Sequence, residues 1–188
     1  MTALPDFLND AQDLLSEQGF ASSNLWYHGT SSALVTSIQQ QGLKGSGDQA
    51  MLEATKKTLS TLGDHYTETQ QPVFLTPSKQ LAYYWAQQTV SQRKRRFQGE
   101  EKPVVFEIKL PEEQNQQVKP DVGAASLLLL KEGEDYLAFL ASLYQQQGLE
   151  MPSIDLMKAD RQDYLKLLGM AYSDQDLAVD WIRLLEAL

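Results

Sequence analysis

Between Pro103 and Leu110 the apolar residues Val104, Phe106, Ile108 and Leu110 alternate with Val105, Glu107 and Lys109. A period of two over eight residues is the pattern of a strand with one buried face, and a helix cannot use it. Most of the chain around it follows helical spacing instead. One clear strand set among helical stretches needs partner strands, so the remaining short β-type runs have to be found and counted. Leu25-Trp26-Tyr27-His28, crowded with aromatics and closed by Gly29, is one; Pro72 to Thr76 is another. Three short strands amid six or seven helices give an α+β expectation rather than a regular βα alternation. That arrangement excludes a simple dinucleotide-binding doubly wound fold, and no Gly-x-Gly-x-x-Gly sequence is present to support one.

The helical expectations run as follows. Pro5 suits a first turn and Gly19 a stop, with Phe7, Leu8, Ala11, Leu14 and Leu15 on one stripe between them. A second helix spans about 32–41, with Leu34, Val35 and Ile38 buried and Gly42 at its end. Residues 43–47 form a loop, and Asp48 caps a helix ending near Gly63. Ser78 caps a long helix through Leu81, Ala82, Trp85, Ala86 and Thr89, which frays in Arg93-Lys94-Arg95-Arg96. After Asp121 the pattern reads as helical to the end, with segments near 133–147, 160–172 and 174–187. The last carries a Ser173-x-x-Asp176 start signal and Leu177, Ala178, Trp181, Leu184 and Leu185 on one face. No linker or internal repeat divides the chain, so 1–188 is expected to form a single domain.

Composition narrows the chemistry. The 188 residues contain no cysteine and two histidines, His28 and His65. Disulfides, thiolate metal sites and cysteine nucleophiles are excluded, and no histidine-rich metal site is expected. Sixteen Lys and Arg against 25 Asp and Glu give a net charge of −9. Such acidity disfavours nucleic-acid or anionic-membrane binding over the whole surface, although a local basic patch would suffice for either. The N-terminus has no basic segment followed by an apolar run, and no apolar run is long enough for a bilayer. The expectation is a cytoplasmic protein without a membrane span, or an effector exported without a signal peptide.

Three blocks carry a resemblance. Leu25-Trp26-Tyr27-His28-Gly29-Thr30-Ser31 is followed by a helix ending Ile38-x-x-x-Gly42-Leu43. Val73-Phe74-Leu75-Thr76-Pro77-Ser78 then leads into Lys79-Gln80-Leu81-Ala82-Tyr83-Tyr84-Trp85-Ala86. Pro103 to Pro111 is the third. In this order, over residues 25–111, they resemble the ADP-ribosyltransferase superfamily, which includes bacterial and phage enzymes, poly(ADP-ribose) polymerases and RNA 2′-phosphotransferases. The resemblance implies a split β-sheet with surrounding helices, to which residues 124–188 would add a helical extension. It implies NAD as substrate, cleaved at the nicotinamide–ribose bond through an oxocarbenium-like transition state. His28 would hold ribose, and Gly29 with Thr30 would line the nicotinamide pocket, the glycine allowing close backbone approach. Phe74 and Tyr83 or Tyr84 would supply the stacking face. Glu107, the one glutamate within a strand, is the candidate catalytic carboxylate.

The chain departs from the family in two places. Many relatives have tyrosine where Phe74 stands, and most carry their glutamate on a later strand, which the helical reading after Asp121 does not supply. Other residues have plainer readings. Trp26 and Tyr27 suit sheet packing. Tyr83 and Tyr84, about 100° apart on a helix, do not both face one pocket. Arg93 to Arg96 suits a solvated helix end, or else a phosphate site. Three functions follow, in order of preference. The first is an NAD-dependent mono-ADP-ribosyltransferase acting on a protein or nucleic-acid acceptor, as a toxin, effector or phage-related factor. The second, close behind, is a binding module that kept the fold without the chemistry. The third is an RNA 2′-phosphotransferase-like enzyme.

Overall fold

The computed structural model describes residues 3–45, 47, 48, 50, 51, 53, 72–121, 123, 131–153, 155 and 158–186. The helix expected from Asp48 towards Gly63 therefore lies largely outside the described residues. In chain order come a 3-10 turn (Asp6–Leu8), α1 (Ala11–Leu14), a small hairpin of β1 (Leu15–Ser16) and β2 (Gly19–Phe20), and β3 (Leu25–Ser31). A second 3-10 turn (Ser32–Leu34) runs into α2 (Val35–Gln41); β4 (Val73–Leu75), α3 (Lys79–Lys94) and β5 (Pro103–Lys109) follow. The rest is α4 (Glu112–Asn115), β6 (Lys119–Pro120), α5 (Lys131–Gln146), α6 (Arg161–Leu168), β7 (Ala171–Ser173), a 3-10 turn (Val179–Trp181) and β8 (Ile182–Leu184).

The fold is α+β with small open sheets. One sheet has the order β3-β5-β8 and the other β4-β7-β6, with every pair antiparallel. They meet at a single bridge, where Tyr27 N–H donates to the Thr76 carbonyl at 2.8 Å and Thr76 N–H returns a bond to Tyr27 at 3.0 Å. Helix α3 packs on β3 and β5. Its start is held from outside: Ser78 Oγ accepts from Leu81 N–H and donates to the buried Asp10 carboxylate at 2.7 Å, and Asp10 also accepts from Lys79 N–H. These bonds satisfy the donors that a helix N-terminus leaves open. Trp26, Ile38, Phe106, Ile108, Val73 and Leu75 belong to a core shared by both sheets. A second cluster joins Tyr84 to Tyr136, Leu140, Tyr144 and Leu168 of α5 and α6.

Two sequence expectations fail, for related reasons. The first helix, expected over 5–18, breaks into a 3-10 turn, one α-turn and a hairpin. Its apolar stripe is still buried at Leu8, Ala11 and Leu15. However, the Asp10 and Ala11 N–H groups both point to Gln80 Oε1, at 3.3 and 2.8 Å. Tertiary partners there replace the helix ladder. The helical extension is also corrected: 171–173 and 182–184 are strands, and β7 lies between β4 and β6. Leu177 exchanges two backbone bonds with Leu43 instead of continuing a helix. The supposed cap residues are otherwise engaged. Ser173 Oγ closes a turn on Gln175, and Asp176 accepts from Gly45 N–H at 2.8 Å. In contrast, Gly42 ends α2 as expected, at φ +78°, a conformation that glycine adopts at no steric cost.

Candidate functional site

A cleft of about 800 Å³ opens where the two sheets diverge from their bridge. Its walls come from β3 (His28, Gly29), β4 (Phe74), β7 (Tyr172), one face of α3 (Trp85, Gln88, Thr89, Gln92) and the acidic residues Asp121 and Asp174.

His28 is the most constrained polar group in it. Its Nδ1 lies 2.8 Å from the Phe74 carbonyl oxygen. A carbonyl only accepts, so Nδ1 carries the proton, and in the neutral ring Nε2 is left as an acceptor. Burial pushes the imidazole below its ordinary range, against the smaller upward pull of the carbonyl. The ring is therefore neutral near pH 7, in one tautomer, with an acceptor to offer. The same bond ties β3 to β4 beside the bridge.

Phe74 is half-exposed, at 50%, while its neighbours Val73 and Leu75 are buried. Leaving half of an aromatic side chain exposed in a cleft forgoes roughly half of the 1.5–3 kcal/mol that full burial is worth. Tyr172 stands directly opposite Phe74 in the β4–β7 register and is half-buried. Cross-strand partners share a sheet face, so the two rings form one aromatic floor. Tyr172 was hidden in the sequence by the helical reading of 160–172. The signal that would have exposed it is its place just beyond the Gly169 stop, where φ is +61°.

Of the remaining expected site residues, Gly29 lines the cleft, and Thr30, Tyr83, Tyr84 and Glu107 do not. The missing Cβ of Gly29 serves packing: an added methyl would overlap the Ala82 carbonyl of α3. Thr30 is buried and faces Val104 across β5. Tyr83 packs with Leu8, Tyr27 and Val105, and its hydroxyl donates to the Ala3 carbonyl at 3.3 Å. Tyr84 stacks on Phe139, with centroids 4.8 Å apart, and tilts against Tyr136. The two tyrosines thus point into two different cores. Glu107 pairs in register with Tyr27, one residue out of phase with His28, and so occupies the opposite sheet face. Its carboxylate accepts from Arg183 of β8 at 2.6 Å. The carboxylates that line the cleft are Asp121 and Asp174, the latter paired with Lys119.

The reading of the basic run as a solvated helix end holds at Lys94, Arg95 and Arg96, which are exposed, and fails at Arg93. Arg93 is buried, not solvated: it pairs with Asp48 and donates to Glu101 at 2.7 Å, and its guanidinium lies over Phe97. Glu101 accepts from Ser31 Oγ as well, at 2.5 Å. The last residue of the His28-Gly29-Thr30-Ser31 run thus belongs to a structural ion-pair cluster. Among the described residues, no group of three or more His, Asp or Glu side chains is placed to hold a metal, and no helix is long and apolar enough to cross a membrane.

No family model, no curated protein and no solved structure matches the chain.

Proposed function

We propose that this protein is an NAD-cleaving mono-ADP-ribosyltransferase whose pocket is the cleft at His28. The observation that carries the reading is the tautomer lock. A strand-end histidine, neutral and anchored to the next strand, offers Nε2 to a ribose hydroxyl beside a half-exposed aromatic floor of Phe74 and Tyr172. Departure of nicotinamide leaves positive charge on the ribose, so a fixed acceptor and a nearby carboxylate favour the transition state over the ground state. With Glu107 on the other sheet face, that part falls to Asp174 or Asp121. The split into two antiparallel sheets joined at one bridge supports the same reading. The acceptor is a macromolecule, protein or nucleic acid.

A second reading, the binding module without chemistry, is favoured by the Glu107–Arg183 pair, which commits that carboxylate elsewhere. The phosphotransferase alternative loses support, because Arg93 of the basic run is used up in buried ion pairs. Calorimetric titration of NAD into the wild type and His28→Ala tests the pocket, and nicotinamide release tests the chemistry. Wild-type binding lost in the variant, with release abolished in Asp174→Asn or Asp121→Asn, supports the enzyme. Binding without release leaves the module, and no wild-type binding at millimolar NAD removes the enzyme and leaves a module for protein or RNA partners.

A further inference from the structure

Asp10 lies outside the cleft and is only 6% exposed, yet its charge is held by N–H and O–H donors rather than by an ion pair among the described residues. One carboxylate oxygen accepts from Ser78 Oγ at 2.7 Å and from Gln80 N–H at 3.4 Å, and the other from Lys79 N–H at 2.7 Å. Gln80 Oε1 answers by accepting from the Asp10 and Ala11 N–H groups. Ser78 N–H donates in turn to Thr76 Oγ1 at 3.3 Å, and the Thr76 backbone makes both bonds of the bridge to Tyr27. Asp10, Gln80, Ser78 and Thr76 are all buried, so a polar chain runs unbroken from the N-terminal segment to the point where the two sheets meet. A buried polar network with every member bonded fixes geometry more narrowly than apolar contacts, which have no direction.

The meeting point acts as a hinge. β3 and β4 join at Tyr27 and Thr76 and diverge beyond them to form the cleft. Phe74, on the cleft side of that bridge, supplies the carbonyl 2.8 Å from His28 Nδ1. The apolar core shared by the sheets tolerates a small swing of β4 about one bridge, whereas a hydrogen bond of that length does not. The corner from Thr76 to Gln80 resists the swing, and Asp10 holds that corner from outside.

We infer that Asp10 is a positioning residue for the cleft: through Ser78 and Thr76 it keeps the Phe74 carbonyl where it locks His28 in one tautomer. The inference rests on the reading of the His28 cleft as the site, and it does not need NAD as the ligand.

The test compares Asp10→Asn with Leu8→Val, which loosens the same segment through an apolar contact and leaves the polar chain intact. Thermal melts check folding, and NMR reads the two ring nitrogens of His28, assigned by their loss in His28→Ala. In the wild type a fixed Nδ1–H tautomer gives two well-separated nitrogen shifts. Asp10→Asn brings them together, because the ring exchanges tautomers once the carbonyl drifts. Leu8→Val leaves them apart even where its melting temperature falls as far. Ser78→Ala removes the next link and acts like Asp10→Asn, and it decides the matter if Asp10→Asn does not fold. Unchanged nitrogen shifts in the folded variants of Asp10 and Ser78, or the same convergence in Leu8→Val, reduces Asp10 to a structural cap and overturns the inference. With NAD as probe, Asp10→Asn binds roughly tenfold more weakly than the wild type, the cost of a misplaced site group. Failure of the wild type to bind NAD bears on the enzyme reading alone, since the nitrogen shifts are read without a ligand.

Discussion

His28 donates Nδ1–H to the Phe74 carbonyl, and that bond determines what the ring can offer a ligand. Burial lowers its proton affinity below the ordinary value of 6.5. Between the folded value and 6.5 the unfolded chain binds a proton that the folded chain refuses. The contribution of His28 to stability is therefore present above 6.5 and falls as pH drops through that window. Imidazole proton shifts followed by NMR should give His28 a midpoint below 6.5; a midpoint above it would contradict the buried neutral tautomer. Gly29 gives a second prediction at the same scale. A Cβ there would overlap the Ala82 carbonyl and crowd Ala86 N, both backbone atoms of α3 that no rotamer change can move away. Gly29→Ala should cost about 3 kcal/mol, at the upper end for overpacking, measured by urea unfolding. If that variant unfolds like the wild type, α3 does not sit where this packing requires.

Helix α3 shows which elements a sequence announces and which it hides. Its cap at Ser78 and its length were legible, as were the β5 alternation and the glycine that ends α2. All four rest on neighbours within a few residues. Asp10, which completes the cap from 68 residues away, was not legible. Nor were β7 and β8, three residues each, whose existence depends on Phe74 and Glu107 rather than on their own period. Leu177, Trp181 and Leu185 are spaced like a helix face but reach separate partners through a bridge and a 3-10 turn. For the same reason the site was half legible: His28 and Phe74 sit on local signals, and Tyr172 and Asp174 do not. At the other end of α3, Arg93 bonds to Glu101 and holds its carboxyl below the usual carboxylate range. This stabilisation is complete above the unfolded value of 4.5 and is lost as pH falls through the depressed folded one. Glu101→Gln should flatten the acid limb of the stability–pH curve. Arg93→Ala, which leaves two carboxylates without their buried partner, should cost about 3 kcal/mol near neutral pH in urea unfolding.

At the scale of the molecule, the chain closes its sheets last. β7 enters between β4 and β6, which have no direct pairing with each other, and β8 covers the free edge of β5. Val73 and Leu75, buried in the shared core, pair with Ser173 and Ala171. Met170 and Leu168 pack in the other large cluster. A helical extension laid over a finished domain could be removed with modest loss. Here the last eighteen residues contribute the middle strand of one sheet, the edge strand of the other and the Leu177–Leu43 bridge, so removal leaves β4 and β6 with unpaired backbone and an open core. A chain ending at Met170 should lose cooperative unfolding and near-ultraviolet dichroism while keeping helical signal from α3 and α5, the signature of a collapsed state without fixed packing. A chain ending at Ser173 keeps β7 and loses β8. It should retain a cooperative but weakened transition, because the edge of β5 is exposed while the aromatic floor of the cleft survives. Measuring both truncations by thermal dichroism distinguishes the two roles. Equal, near-wild-type unfolding of the two would mean that the C-terminal strands only decorate a core that is complete without them.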